Sequence, residues 1–119
     1  MLEKKGPVST PATEAASNVV DLAGTTLESS RLSKDADGNP VLQLTMPVKD
    51  GNDEVTSLTF RRPTAADLAA MDEAKGEVAK TIRSVSRATR MPVKVIEKLD
   101  GYDFLQAGAV VGDFLSRPR

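Results

Sequence analysis

The sequence predicts an α+β fold, in which a two-stranded antiparallel β-hairpin packs on about three α-helices behind a flexible, disordered N-terminal arm. Three observations predict it. Residues 41–60 alternate apolar and polar, residues 63–115 repeat apolar positions every three or four residues, and residues 1–38 do neither. At 119 residues the chain has room for one compact unit plus a tail. The division is expected between an arm at 1–38 and a domain at 39–117.

The arm contains no aromatic residue and is rich in Ser, Thr, Ala and Pro. Such a segment buries too little apolar surface to offset the roughly 1–2 kcal/mol per residue that ordering a backbone costs. Within it Ala15, Val19 and Leu22 share a helical face over residues 14–22. That stretch is shorter than the roughly 12–15 residues an isolated helix needs, so its structure would have to come from a partner.

From Val41 the alternation sets Leu42, Leu44, Met46 and Val48 on one face and Gln43, Thr45 and Lys49 on the other. Asp50-Gly51-Asn52-Asp53 supplies a turn, after which Thr56, Leu58 and Phe60 face the same way. Pro47 cannot donate to a ladder and belongs at an edge or a bulge. A lone hairpin is marginal in water, so helices must cover its apolar face.

Thr64 is placed to cap a helix, with Asp67 three residues later closing a short-armed capping box. One long helix is expected from there to about Ala88, on the stripe Leu68, Met71, Val78, Ile82 and Val85. Lys75 interrupts the stripe, and Gly76, about 1 kcal/mol worse than Ala in a helix, predicts a bend or a close neighbour. Met91-Pro92 breaks the helix and starts a short one over 92–99 on Val93, Ile96 and Leu99. Asp100 caps the last helix, expected over 102–115, with Asp103 three residues on; Phe104, Leu105, Val111, Phe114 and Leu115 form its buried face. Gly108 and Gly112, one turn apart, allow close packing, while Asp103 and Asp113 bracket an apolar run too short to span a bilayer.

Composition narrows the chemistry. The chain has no His and no Cys, which removes thiol nucleophiles, imidazole-dependent triads, Cys/His zinc sites and disulfides. A formal net charge of -1 gives no global attraction to nucleic acid or anionic lipid. The first residues lack the apolar run of a signal peptide, so a cytosolic protein is expected. Asp35, Asp37, Gly38 and Asn39 open like a calcium loop, but Pro40 follows and Met46 stands where the bidentate glutamate belongs, which leaves a turn. The pairs Asp72/Glu73 and Asp50/Asp53 read as solvated surface rather than acid–base machinery. No catalytic residue, metal or cofactor is expected.

The sharper signal is basic. Lys80, Arg83, Arg87 and Arg90 share one side of the long helix, and Lys94 and Lys98 continue beyond it. Arg61-Arg62 makes a second basic spot, suited either to anchoring the hairpin end or to touching a partner. The stripe reads first as a solvated helix face. With no Trp, one Tyr and three Phe there is little to stack on bases, so as a contact surface an acidic protein partner ranks above nucleic acid.

Residues 41–115 resemble the small tail assembly chaperones of contractile-tailed, Mu-like bacteriophages. The resemblance is carried by the strand Val41-Leu42-Gln43-Leu44-Thr45-Met46-Pro47-Val48, a polar turn, and Val55-Thr56-Ser57-Leu58-Thr59-Phe60-Arg61-Arg62-Pro63-Thr64-Ala65-Ala66-Asp67-Leu68. It continues through Ser86, Met91-Pro92, Leu99, Tyr102-Asp103-Phe104-Leu105 and Phe114-Leu115. Residues 1–38 have no counterpart in it. The resemblance implies a non-enzymatic late protein of virion morphogenesis, acting in the host cytoplasm and absent from the finished virion. It implies binding to the tape measure protein, with the tail tube protein and a longer frameshifted form of the chain as further partners; ending at Arg119, the chain is similar to the short form.

A tape measure protein is expected to be a long amphipathic helix whose apolar stripe must be masked before tube subunits surround it. A domain of about 75 ordered residues buries only about 60–65% of its surface, so homo-oligomers or partners are expected to add stability. Met71, Val78, Val85, Val111 and Phe114 are the expected apolar groove, with Arg61, Arg62, Lys80, Arg83, Arg87 and Arg90 steering acidic positions of the client. The alternative is a small nucleic-acid-binding regulator using the stripe from Lys80 to Arg90. An enzyme would need a buried, pKa-shifted carboxylate pair. No membrane partner is expected.

Overall fold

The computed structural model describes residues 26–118. The helix expected over residues 14–22 lies outside them. The fold is α+β: strands β1 (Leu32–Lys34), β2 (Pro40–Asp50) and β3 (Asp53–Thr59), then helices α1 (Ala65–Asp72), α2 (Glu77–Thr89), α3 (Val93–Glu97) and α4 (Gly101–Ser116), with a short 3-10 turn at Ser29–Arg31.

The sheet has three antiparallel strands in the order β1-β2-β3, not two. The extra strand comes from the segment assigned to the arm, where Leu32 pairs with Leu42 and Lys34 with Pro40. Asp35 makes the turn that returns it. Its carboxylate accepts the backbone N–H groups of Asp37 and Asn39, each at 2.9 Å, and Gly38 takes a φ of 83°. The β2–β3 turn has a positive φ at Gly51 but not at Asn52, between the paired Asp50 and Asp53, the φ pattern of a II′ hairpin turn.

Midway along the hairpin the register shifts. Between the pairs Gln43–Ser57 and Val48–Val55, residues 44–47 stand opposite Thr56 alone. Pro47 lies in this bulge, where its missing donor does no harm. The bulge also breaks the alternation: Leu42, Leu44 and Val48 are buried, whereas Met46, expected beside them, is 59% exposed.

The single long helix expected to Ala88 is two helices. Gly76 has φ 90° and ψ 154°, a conformation outside the helical wells and nearly confined to glycine, so the chain turns there and α2 begins anew. Met71 and Val85 therefore point into different environments, and Leu68 and Val78 lie at the surface rather than in one core stripe. Arg90, in the left-handed region with φ 59°, closes α2, and Pro92 caps α3 as the break at Met91-Pro92 predicts. Helices α3 and α4 pack on β2, α2 packs on both, and α1 packs chiefly on α2. Phe60, Leu42, Leu58, Ile96, Val85, Val110 and Val111 fill the shared core, each large side chain contributing about 1.5–3 kcal/mol of burial.

Candidate functional site

Four of the basic residues singled out in the sequence, Arg61, Lys80, Arg83 and Arg87, converge on the junction of α1 and α2. Thr64 caps α1: its hydroxyl accepts the Asp67 N–H at 3.4 Å, while the Asp67 carboxylate accepts the Thr64 N–H at 2.8 Å. That carboxylate is only 4% exposed. It also accepts two hydrogen bonds from the Arg61 guanidinium, at 3.0 and 3.2 Å, and one from Arg87 Nε at 3.0 Å. Burial pushes the Asp67 pKa up, but the hydrogen bonds from Arg61, the Thr64 N–H and Arg87 together outweigh it and hold the group well below the usual carboxylate range. The Arg61 N–H in turn donates to the Ala88 carbonyl at 2.9 Å, tying the sheet's exit to the end of α2. Arg61 is thus the anchor of the hairpin end.

The rest of the basic stripe follows the same pattern. Lys80 pairs with Asp72 at 3.5 Å and Arg83 with Glu73 at 3.7 Å, and Arg83 also donates to the Ala70 carbonyl at 3.3 Å. The last turn of α1, the negative end of its dipole, is where cations are favoured. Three of the four stripe residues thus face carboxylates on α1 or at its C-cap, Glu73; Arg90 has no such partner among the described residues. Asp72 and Glu73 are exposed, as expected, and their pairs contribute little, at most about 1 kcal/mol each.

The five apolar candidates do not share one surface. Val85 and Val111 are 0% exposed and belong to the core, out of reach of any partner while the domain is folded. Met71 is buried between α1 and its neighbours, Phe114 is half-buried, and Val78 is 53% exposed. What α1 turns to solvent is a low, apolar face: Ala65, Ala66, Ala69 and Leu68, the last 36% exposed. Arg62, at the far side of the Arg61-Arg62 pair, lies over the Phe114 ring at 6.0 Å from its centroid and donates to the Arg117 carbonyl.

Two residues whose roles are not visible in the sequence hold the fold's irregular parts. Asp103, expected only near a helix cap, is buried and accepts from the Thr45 N–H and hydroxyl at 3.0 Å and from the Met46 N–H at 3.2 Å. It satisfies donors that the bulge removes from the ladder. Gln106, also buried, accepts the Glu28 N–H at 2.7 Å and donates to the Thr26 carbonyl at 2.8 Å, clamping the chain ahead of β1. Both fall at helical spacing with Val110, so polar residues on an apolar stripe were the available signal. Among the described residues the buried carboxylates are Asp67 and Asp103, and they engage separate partners rather than each other.

Among the described residues no helix is long and apolar enough to cross a membrane. A family model described as phage tail assembly chaperone proteins, E, or 41 or 14, matches residues 41–116, from β2 to the end of α4. No curated protein and no solved structure matches the chain.

Proposed function

The chain belongs to the phage tail assembly chaperone family, and from that premise we propose that it is a non-enzymatic chaperone that binds the tape measure protein and keeps it soluble while the tail tube grows. The observation that carries this reading is the extent of the match, residues 41–116, which takes in the β2–β3 hairpin and every α-helix among the described residues. Exposed apolar side chains on the α1–α2 pair support it. Leu68 and Val78, with the small residues Ala65, Ala66 and Ala69 beside Leu68, let an amphipathic helix approach closely. Arg90, with no carboxylate partner among the described residues, is free to meet an acidic position of the client. We extend the proposal to a homo-oligomer acting in the host cytoplasm, absent from the finished virion, with the tail tube protein and a longer form of the chain as further partners. The nucleic-acid alternative has less support, because Lys80, Arg83 and Arg87 are already engaged by α1.

Co-expression with the tape measure protein of the same phage tests the reading. The client is expected to move to the soluble fraction and to co-purify. The double variant Leu68→Glu/Val78→Glu is expected to lose most of the complex while keeping its unfolding midpoint, since exposed substitutions usually change stability by about 0.5 kcal/mol or less. A client that is equally soluble alone and never co-purifies overturns the proposal.

A further inference from the structure

A groove of about 410 Å³ runs between the β1–β2 hairpin and the C-terminal end of α4. Apolar Leu32, Pro40 and Phe114 line it together with the cations Lys34, Arg62 and Arg117 and a single carboxylate, Asp113. Arg117 is already paired with that carboxylate. Lys34 and Arg62 have no carboxylate among the described residues, in contrast to Arg61, Lys80, Arg83 and Arg87.

Arg62 is held from two sides, by the Arg117 carbonyl and by the Phe114 ring. Its guanidinium is therefore fixed before any ligand arrives, which lowers the entropy lost when a carboxylate docks on its remaining donors. Fixed positive charge beside an apolar lining fits a ligand that brings both features. A nucleic acid would cover the apolar Leu32 and Phe114 poorly. A peptide with a carboxylate next to an apolar side chain satisfies the groove.

We propose that this groove docks an acidic amphipathic peptide segment of a partner protein, with a carboxylate on Arg62 and Lys34 and an apolar side chain against Phe114 and Leu32. This does not depend on the identity of the client proposed above. The groove involves different residues from the exposed Leu68 and Val78.

The test uses the full chain and a fluorescein-labelled eight-residue probe built from Glu, Leu and Phe, with two control probes carrying Gln for Glu or Ser for Leu and Phe. Saturable anisotropy is expected for the first probe alone, with chemical-shift changes centred on Leu32 and Phe114. Arg62→Gln and the exposed-site variant Lys34→Glu are each expected to weaken binding at least tenfold while keeping the far-ultraviolet spectrum. The proposal is overturned by no binding at millimolar probe, by undiminished binding in both variants, or by shifts elsewhere. It is equally overturned if single-stranded oligonucleotide competes as well as the acidic peptide, or if the variants only change the sedimentation coefficient, which would assign the groove to a second copy of the chain.

Discussion

Replacing Asp67 by Ala would remove the carboxylate on which Arg61, Arg87 and the Thr64 N–H converge. Removing one partner of a buried ion pair costs about 3–5 kcal/mol, because the other charge is left uncompensated. Here the Arg61 and Arg87 side chains are 31% and 42% exposed, so water recovers part of that loss. The vanished arm of the capping box adds about 0.5–2 kcal/mol. A total near 3 kcal/mol is expected, a substantial share of the about 5–15 kcal/mol that holds a small domain together. Urea unfolding followed by circular dichroism would register it as a midpoint lowered by roughly 2 M. The pH dependence gives an independent check. Asp67 has a lowered folded-state pKa, so its stabilisation is fully present above the ordinary carboxylate value near 4. It erodes as pH falls below that value toward the group's own lower pKa. The stability gap between the wild type and Asp67→Asn should therefore narrow only in acid. A loss below about 1 kcal/mol for Asp67→Ala, or a gap that closes already near pH 6, would refute the view that this carboxylate locks α1 to α2.

Gly76→Ala should destabilise by about 1–3 kcal/mol through backbone strain alone, since a Cβ there meets no atom within 4 Å; a gain in both helix content and stability would mean that the break between α1 and α2 is not enforced at this residue. Gln106→Ala should free the segment ahead of β1, raising the exchange rate of the Glu28 amide at least tenfold, and unchanged exchange would show that the clamp is not what holds it. A labelled duplex should bind weakly, with little change between about 50 and 200 mM salt. A steep fall over that range would revive the nucleic-acid reading.

The parts of the fold that could be read in advance are those made by near neighbours. The Thr64–Asp67 capping box, the Gly51-Asn52 turn, the Met91-Pro92 break and the Asp100 cap are interactions over a few residues, and each is found. Strand β1 was illegible because three residues carry no period; only pairing with β2 makes them a strand. Met46 misled because alternation assumes an unbroken register, and the bulge that turns it outward is stabilised by Asp103 from another element. At Gly76 the residue marked a weak point, but whether the chain would bend or break depended on how α1 could lie on α2.

The sequence by itself determined the α+β class, most element boundaries and the absence of thiol and imidazole chemistry, because composition and local periodicity act within a turn or two of the chain. It also displayed a basic stripe without revealing what the stripe would meet. Only the tertiary structure decided that: Arg87 finds Asp67 twenty residues away, Thr45 finds Asp103 at a separation of 58, and Glu28 finds Gln106 at 78. Contacts of that span follow from how packed surfaces close on one another. A local pattern holds no record of which charge or backbone donor will be left facing which partner.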